Sequence, residues 1–180
     1  GRRGRGVAQL RSRPPRGRVD RVGRAAIDAD PRYGGLATVA GMNVIPTGHT
    51  FADEVDTLRA NWGKHDFFFI HYKPADAAGE DGDFDAKVKC LEELDPFIPQ
   101  ILELEPDVLM VAGDHATPAI MAAHSWHPVP FMLHSKLTKG QGVPTFDEKA
   151  CALGAIGSIP ATSVMVLGLS HAGKMTKFGP

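Results

Sequence analysis

Val111-Ala-Gly-Asp114-His115-Ala-Thr-Pro118 decides the reading of this chain, and nine residues after His115 comes His124-Ser-Trp-His-Pro-Val-Pro130. The apolar run Val108 to Ala112 delivers a carboxylate and an imidazole, side by side, to the end of a buried strand. Open α/β sheets hold their sites there, outside the carboxyl ends of the strands. A second cluster, Asp76-Ala-Ala-Gly-Glu80-Asp81-Gly-Asp83, forms an acidic loop after the apolar run Phe67 to Ile70. Carboxylates and imidazoles suit Mn²⁺ or Zn²⁺, and two such ions close together clamp the attacking and leaving oxygens of a phosphoryl transfer. The candidate metal ligands are Asp76, Glu80, Asp114, His115 and His124. An Asp-His pair after a strand is a weak motif, and carboxylates in a glycine-rich loop are commonly just solvated. Taken alone, the residues leave both readings open. His49, His65, His71, His127, His134 and His171 read as ordinary surface or core histidines.

With 180 residues, 43% of them apolar and 23% charged, the chain has the composition of one globular domain. No apolar run approaches the ~20 residues that cross a bilayer, and no apolar core follows the basic start as a secretory signal requires. The expectation is a soluble, cytoplasmic protein without membrane partners. Cys90, on a helix, and Cys151 lack zinc-ligand spacing and read as reduced thiols. Charge is uneven: the first 24 residues hold nine Arg against one Asp, +8 against −9 for the rest. Residues 1–24 read as a flexible Arg-rich tail and 25–180 as the folded part. With neither lysine nor aromatic residues in that tail, nucleic-acid binding is not expected, and an organelle transit peptide has no better support.

The regular part alternates strand and helix. Ala25 to Ile27 is a short apolar entry, Gly34-Gly35 a turn, and Leu36 to Gly41 an apolar stretch. Thr50 is a helix N-cap with Asp53 and Glu54 in the first turn, and the helix runs to about Trp62. Residues 66–72 form a strand whose apolar character suits burial on both faces. Phe84, Val88, Leu91 and Leu94 recur at helical spacing, and Asp95-Pro96 caps and starts another helix. Thr117-Pro118 opens a short helix, Ala119 to Ala123, and Val129 to Leu133 is a further strand. A loop at 135–145 precedes a last helix from about Thr162 to Lys177, with Val164, Leu167, Met175 and Phe178 available to the core. This is a parallel α/β rhythm without internal repeats.

His71-Tyr-Lys-Pro-Ala-Asp-Ala-Ala-Gly-Glu-Asp-Gly-Asp-Phe84, Ala112-Gly-Asp-His-Ala-Thr-Pro118 and Ala123-His-Ser-Trp-His-Pro-Val-Pro130, in that order and spacing, resemble the C-terminal half of archaeal-type cofactor-independent phosphoglycerate mutases. These belong to the alkaline phosphatase superfamily. The likeness continues through Phe146-Asp-Glu148, Leu153-Gly-Ala-Ile-Gly157 and Ala172 to Gly179, and covers about residues 22–180. It implies a three-layer α/β/α fold with a mostly parallel sheet, whose N-terminal part is missing here. It also implies two divalent ions, commonly manganese with zinc, cobalt or magnesium as alternatives, and a serine that carries the phosphoryl group between the 3- and 2-oxygens of glycerate in glycolysis. By position, Asp114 and His115 resemble ligands of the ion that activates the serine, and Asp76, Glu80 and His124 ligands of the other. Many relatives have His where Glu80 stands, which bears on metal preference.

Nothing before Val22 resembles the family's early acidic ligand or its serine nucleophile, and the segment that supplies substrate-phosphate arginines has no counterpart. No catalytic or substrate-binding residue is therefore assigned. Three readings compete. One is part of a phosphoglycerate mutase whose activity needs its other half, on the same chain or on another. The second is a metal-dependent phosphatase of the same superfamily, and the third a non-catalytic truncated metal-binding domain. With part of a sheet absent, self-association is a further expectation.

Overall fold

The computed structural model describes residues 23–28, 31–138 and 142–175. The Arg-rich tail expected at 1–24 lies almost wholly outside them. Strand β1 (Arg24–Ile27) is followed by helix α1 (Pro31–Val39), β2 (Asn43–Ile45), α2 (Phe51–Asn61), β3 (Phe67–Ile70), α3 (Pro74–Glu80), α4 (Phe84–Leu94), α5 (Phe97–Leu102) and β4 (Val108–Ala112). A 3-10 turn at Ala119–Met121 leads to β5 (Phe131–Ser135), α6 (Glu148–Ala152), a 3-10 turn at Ala161–Ser163 and α7 (Val164–His171). The α/β architecture expected from the sequence is present.

Three strands form a parallel sheet in the order β2-β1-β3, with Ile27 opposite Ile45 on one side and Ile70 on the other. Central β1 is the most buried, and Ala25, Ala26 and Ile27 are almost fully enclosed. Ile27 joins Val55 and Leu58 of α2 and Ile101 of α5 in the core, flanked by Ile45, Phe51, Phe68, Ile70, Phe97, Leu104 and Leu109. Phe51 packs edge-on against both Tyr72 and Phe97, with centroids 5.2 Å apart in each pair. Helix α2 begins as its sequence dictates: Thr50 Oγ1 accepts from the Asp53 amide and Asp53 Oδ2 accepts from the Thr50 amide, a complete capping box.

Several expectations need correction. Gly34-Gly35 is not a turn but lies within α1, which opens at Pro31, whose fixed φ suits a first helical turn. Strand β2 was not foreseen, being only three residues long. The acidic loop is largely a helix, α3. Strand β3 is not buried on both faces: it pairs only with β1 among the described residues, and Phe69 is 40% exposed. Asp95 ends α4 rather than capping α5, whose N-cap is Pro96 with no side-chain bond. Strand β4 pairs with β5 antiparallel, Met110 opposite Leu133, departing from the parallel rhythm. The connection between them contains a 3-10 turn and no crossover helix, so it returns the chain in the opposite direction. Strand β5 starts at Phe131, two residues later than expected, because Pro128 and Pro130 have no N–H for the ladder.

Helix α7 stops at His171 rather than running to Lys177. Gly173 adopts φ +64°, and the Gly173 and Lys174 amides donate to the carbonyls of Ser170 and Leu169, which is a Schellman ending. Met175 lies beyond it, half-exposed, and Phe178 is outside the described residues. Both cysteines are free, Cys90 on α4 as expected. No described helix is long and apolar enough to cross a membrane.

Candidate metal centre

Helix α3 opens the site. Asp76 in its first turn and Glu80 at its last residue are four apart, and so face the same way. Ala78 and Gly79 between them are buried against the segment that follows β4. A Cβ at Gly79 would fall 2.5 Å from the Thr117 carbonyl oxygen, so glycine here is what lets the two backbones touch. Lys87 of α4 closes the same junction by donating to that carbonyl.

The segment after β4 supplies the imidazoles. The Ser125 amide donates to the Ala116 carbonyl at 2.8 Å, in an isolated antiparallel bridge that pinches the 116–125 loop. His115 and His124 thereby come together with ring centroids 3.9 Å apart. Inside the pinch the helix foreseen at Ala119 to Ala123 is only a 3-10 turn, ended at Ala122 by φ +48°.

Asp76, His115 and His124 each bring one ligand atom into a group whose members all lie within 4.8 Å of one another. Asp76 Oδ1 is 3.8 Å from His115 Nδ1 and 3.8 Å from His124 Nε2. Glu80 Oε1 reaches His124 Nε2 at 3.2 Å, at the edge of the group. Asp114 stands outside it, more exposed, with Oδ2 3.7 Å from His115 Nε2 and Oδ1 accepting from the His115 amide. The structure thus gathers three of the five expected ligands, sets Glu80 beside them and leaves Asp114 outside the group, against His115. Donors ~2.0–2.2 Å from an ion stand roughly 3–4.4 Å from one another, so the Asp76–His124, Glu80–His124 and Asp114–His115 separations each suit a shared divalent ion with little contraction.

Thr117 was expected as a helix cap, but its hydroxyl serves the site instead. It donates to Asp76 Oδ1 at 2.6 Å and lies 3.0 Å from His115 Nδ1, tying the two ligands together. Lys73 ion-pairs with Asp76 Oδ2. Burial pushes the Asp76 carboxyl up, but hydrogen bonds from Lys73 and Thr117 and the charges of Lys73 and His115 outweigh it and hold the group below the usual carboxylate range. Lys73 is correspondingly raised, first by its bond to Asp76.

A buried pair was also missed. His71 at the end of β3 and Asp28 at the end of β1 follow the registered Ile70 and Ile27, and Nδ1 of His71 is 3.2 Å from Asp28 Oδ2, a side chain only 3% exposed. Tyr33 covers His71 with ring centroids 3.8 Å apart. The signal was present in the sequence, a polar residue directly after each apolar strand. It could be read only once the two strands were known to be neighbours.

Residues 36–171 match the model of the metalloenzyme superfamily. The chain is 47% identical over 175 residues to a Thermotoga maritima protein and 42% over 178 residues to one from Thermus thermophilus, 97% of this chain and 44% of the relative in both cases. An Aquifex aeolicus protein is 46% identical over 150 residues, covering 83% of this chain and 37% of its own length. All three are named "Probable 2,3-bisphosphoglycerate-independent phosphoglycerate mutase". A solved protein from Pyrococcus horikoshii superposes with a TM-score of 0.83 at 26% identity, over 88% of this chain and 51% of that one. The chain therefore spans less than half the length of these named relatives. Its gathered carboxylate and imidazole donors and the match over residues 36–171 agree, and the chain belongs to the metalloenzyme superfamily.

Proposed function

We propose that this chain is the metal-holding part of a 2,3-bisphosphoglycerate-independent phosphoglycerate mutase, which interconverts 3- and 2-phosphoglycerate. One observation carries the reading: Asp76, His115 and His124, from three separate stretches of sequence, converge in one group in a chain that is 42% to 47% identical to relatives of that name. Manganese is the favoured ion. Asp76, His124 and Glu80 would hold one ion, and His115 with Asp114 a second. Bound there, such ions supply positive charge to phosphoryl oxygens and lower the pKa of a coordinated hydroxyl.

The chain's own residues do the rest. Thr117 orients Asp76 and His115 toward each other, Lys73 neutralises the outer oxygen of Asp76, and the Ala116–Ser125 bridge sets the separation of the two imidazoles. The serine nucleophile and the remaining ligands would come from the part of the relatives' length that this chain does not span, on the same polypeptide or on a partner.

The test is a Mn²⁺ titration of the chain and of Asp114→Asn, together with a coupled assay for 2-phosphoglycerate formation without added bisphosphoglycerate. Both are run with and without a polypeptide comprising the part of the Thermotoga relative that this chain does not span. Expected are Mn²⁺ binding by the chain alone, and turnover only with the added segment, lost in Asp114→Asn. Release of inorganic phosphate instead of 2-phosphoglycerate would transfer the reading to a phosphatase. Absence of Mn²⁺ binding would leave only the non-catalytic domain.

A further inference from the structure

The rim of the metal centre holds a cation, Lys73, whose remaining N–H donors the metal reading does not use. Lys73 is anchored on Asp76 Oδ2, while Asp76 Oδ1 faces His115 and His124. Its side chain is 31% exposed, and of its three N–H donors the ion pair uses one. Tyr33 covers His71, which Asp28 holds through Nδ1. His71 precedes Lys73 by two residues, and each of the two side chains is held by a mostly buried carboxylate.

A fixed ammonium directly beside a set of cation ligands is electrostatically odd, because a divalent ion on Oδ1 and the ammonium on Oδ2 repel each other across one carboxylate. An anion placed between them removes the conflict and gains from both charges. We propose that Lys73 forms an anion subsite flanking the metal centre that takes a phosphoryl or carboxylate oxygen of the ligand. The inference rests on the metal-centre reading and adds a substrate-contacting residue to it.

The consequence is a coupling between cation and anion. By linkage, inorganic phosphate tightens Mn²⁺ binding by the same factor as Mn²⁺ tightens phosphate binding. The experiment is calorimetric titration of Mn²⁺ into the chain with and without inorganic phosphate, for the native protein, Lys73→Met, Lys73→Arg and Asp76→Asn, with far-ultraviolet circular dichroism to confirm that each variant folds. Expected is a tightening of about tenfold in the native protein, the scale of a charge-assisted hydrogen bond, kept in Lys73→Arg and reduced severalfold in Lys73→Met. Equal coupling in native protein and Lys73→Met overturns the subsite. Weaker Mn²⁺ binding by Lys73→Met without phosphate, with coupling unchanged, makes Lys73 a residue that only positions Asp76. Native protein that binds Mn²⁺ no better than Asp76→Asn removes the metal centre and the subsite with it.

Discussion

Gly79 marks how closely the two halves of the metal centre approach. The methyl group of an alanine there would meet the Thr117 carbonyl oxygen at 2.5 Å and its Cγ2 at 3.1 Å, and a backbone oxygen does not yield as a flexible side chain does. Gly79→Ala should therefore cost about 1–3 kcal/mol by overpacking and pull Asp76 away from the Thr117 hydroxyl. Urea unfolding and Mn²⁺ titration would both register it, and full stability with unchanged affinity would show that the junction is looser than described. Asp76 itself predicts an acid dependence. Its folded-state pKa is lowered, with Lys73 and Thr117 overcoming the effect of burial, so its contribution to stability is present above the unfolded carboxylate value and lost as pH falls through the lower folded value. In the presence of chelator, the stability difference between native protein and Asp76→Asn should be constant at neutral pH and shrink through the acid range. A difference independent of pH would contradict the ion pair. The five ligand candidates carried a signal in the sequence as metal-competent side chains following apolar strands, whereas Lys73 and Thr117, although they lie in the same stretches, carried none, since their roles exist only when α3 meets the loop after β4.

Elements with their own local signal were readable and those held by packing were not. Strands β1, β3 and β4 announced themselves as apolar runs, and α2 by the Thr50 cap with Asp53 three residues on. Helix α3 was hidden because Asp and Gly favour turns in isolation, and its helical state depends on burying Ala78 and Gly79 against neighbours distant in sequence. Helix α1 was hidden for the same reason by its paired glycines. Gly35 there has a helical backbone with nothing within 4 Å of where a Cβ would stand, so neither a left-handed φ nor a close approach requires glycine. Gly35→Ala should stabilise the chain by roughly 0.5–1 kcal/mol, because the unfolded state loses freedom while the helix loses nothing. A lowered thermal midpoint would mean that α1 is not helical at Gly35.

At the scale of the molecule, the described core is small for the apolar content of the chain. Ile27, Leu58 and Val55 are the large side chains fully enclosed, while Phe84 (68% exposed), Val88 and Leu91 form a stripe along α4 at positions i, i+4 and i+7. Their helical spacing was read from the sequence, and the helix is there, but the described residues do not cover its apolar face. Next to α4 lies the 3-10 turn with Ile120, 97% exposed, and Met121. Contiguous apolar surface of this kind is what drives association in water. The chain spans 44% of the length of its Thermotoga relative, so a protein of the relative's full size has more than as much polypeptide again with which to cover that face. Produced by itself, the chain should bind a hydrophobic dye and self-associate at micromolar concentration, and Phe84→Ser with Leu91→Lys should suppress both. Because these two side chains are already exposed, the double variant should unfold at nearly the native denaturant concentration. Sedimentation velocity that finds the native chain monomeric, or the variant equally associated, would show that the α4 stripe is not the contact.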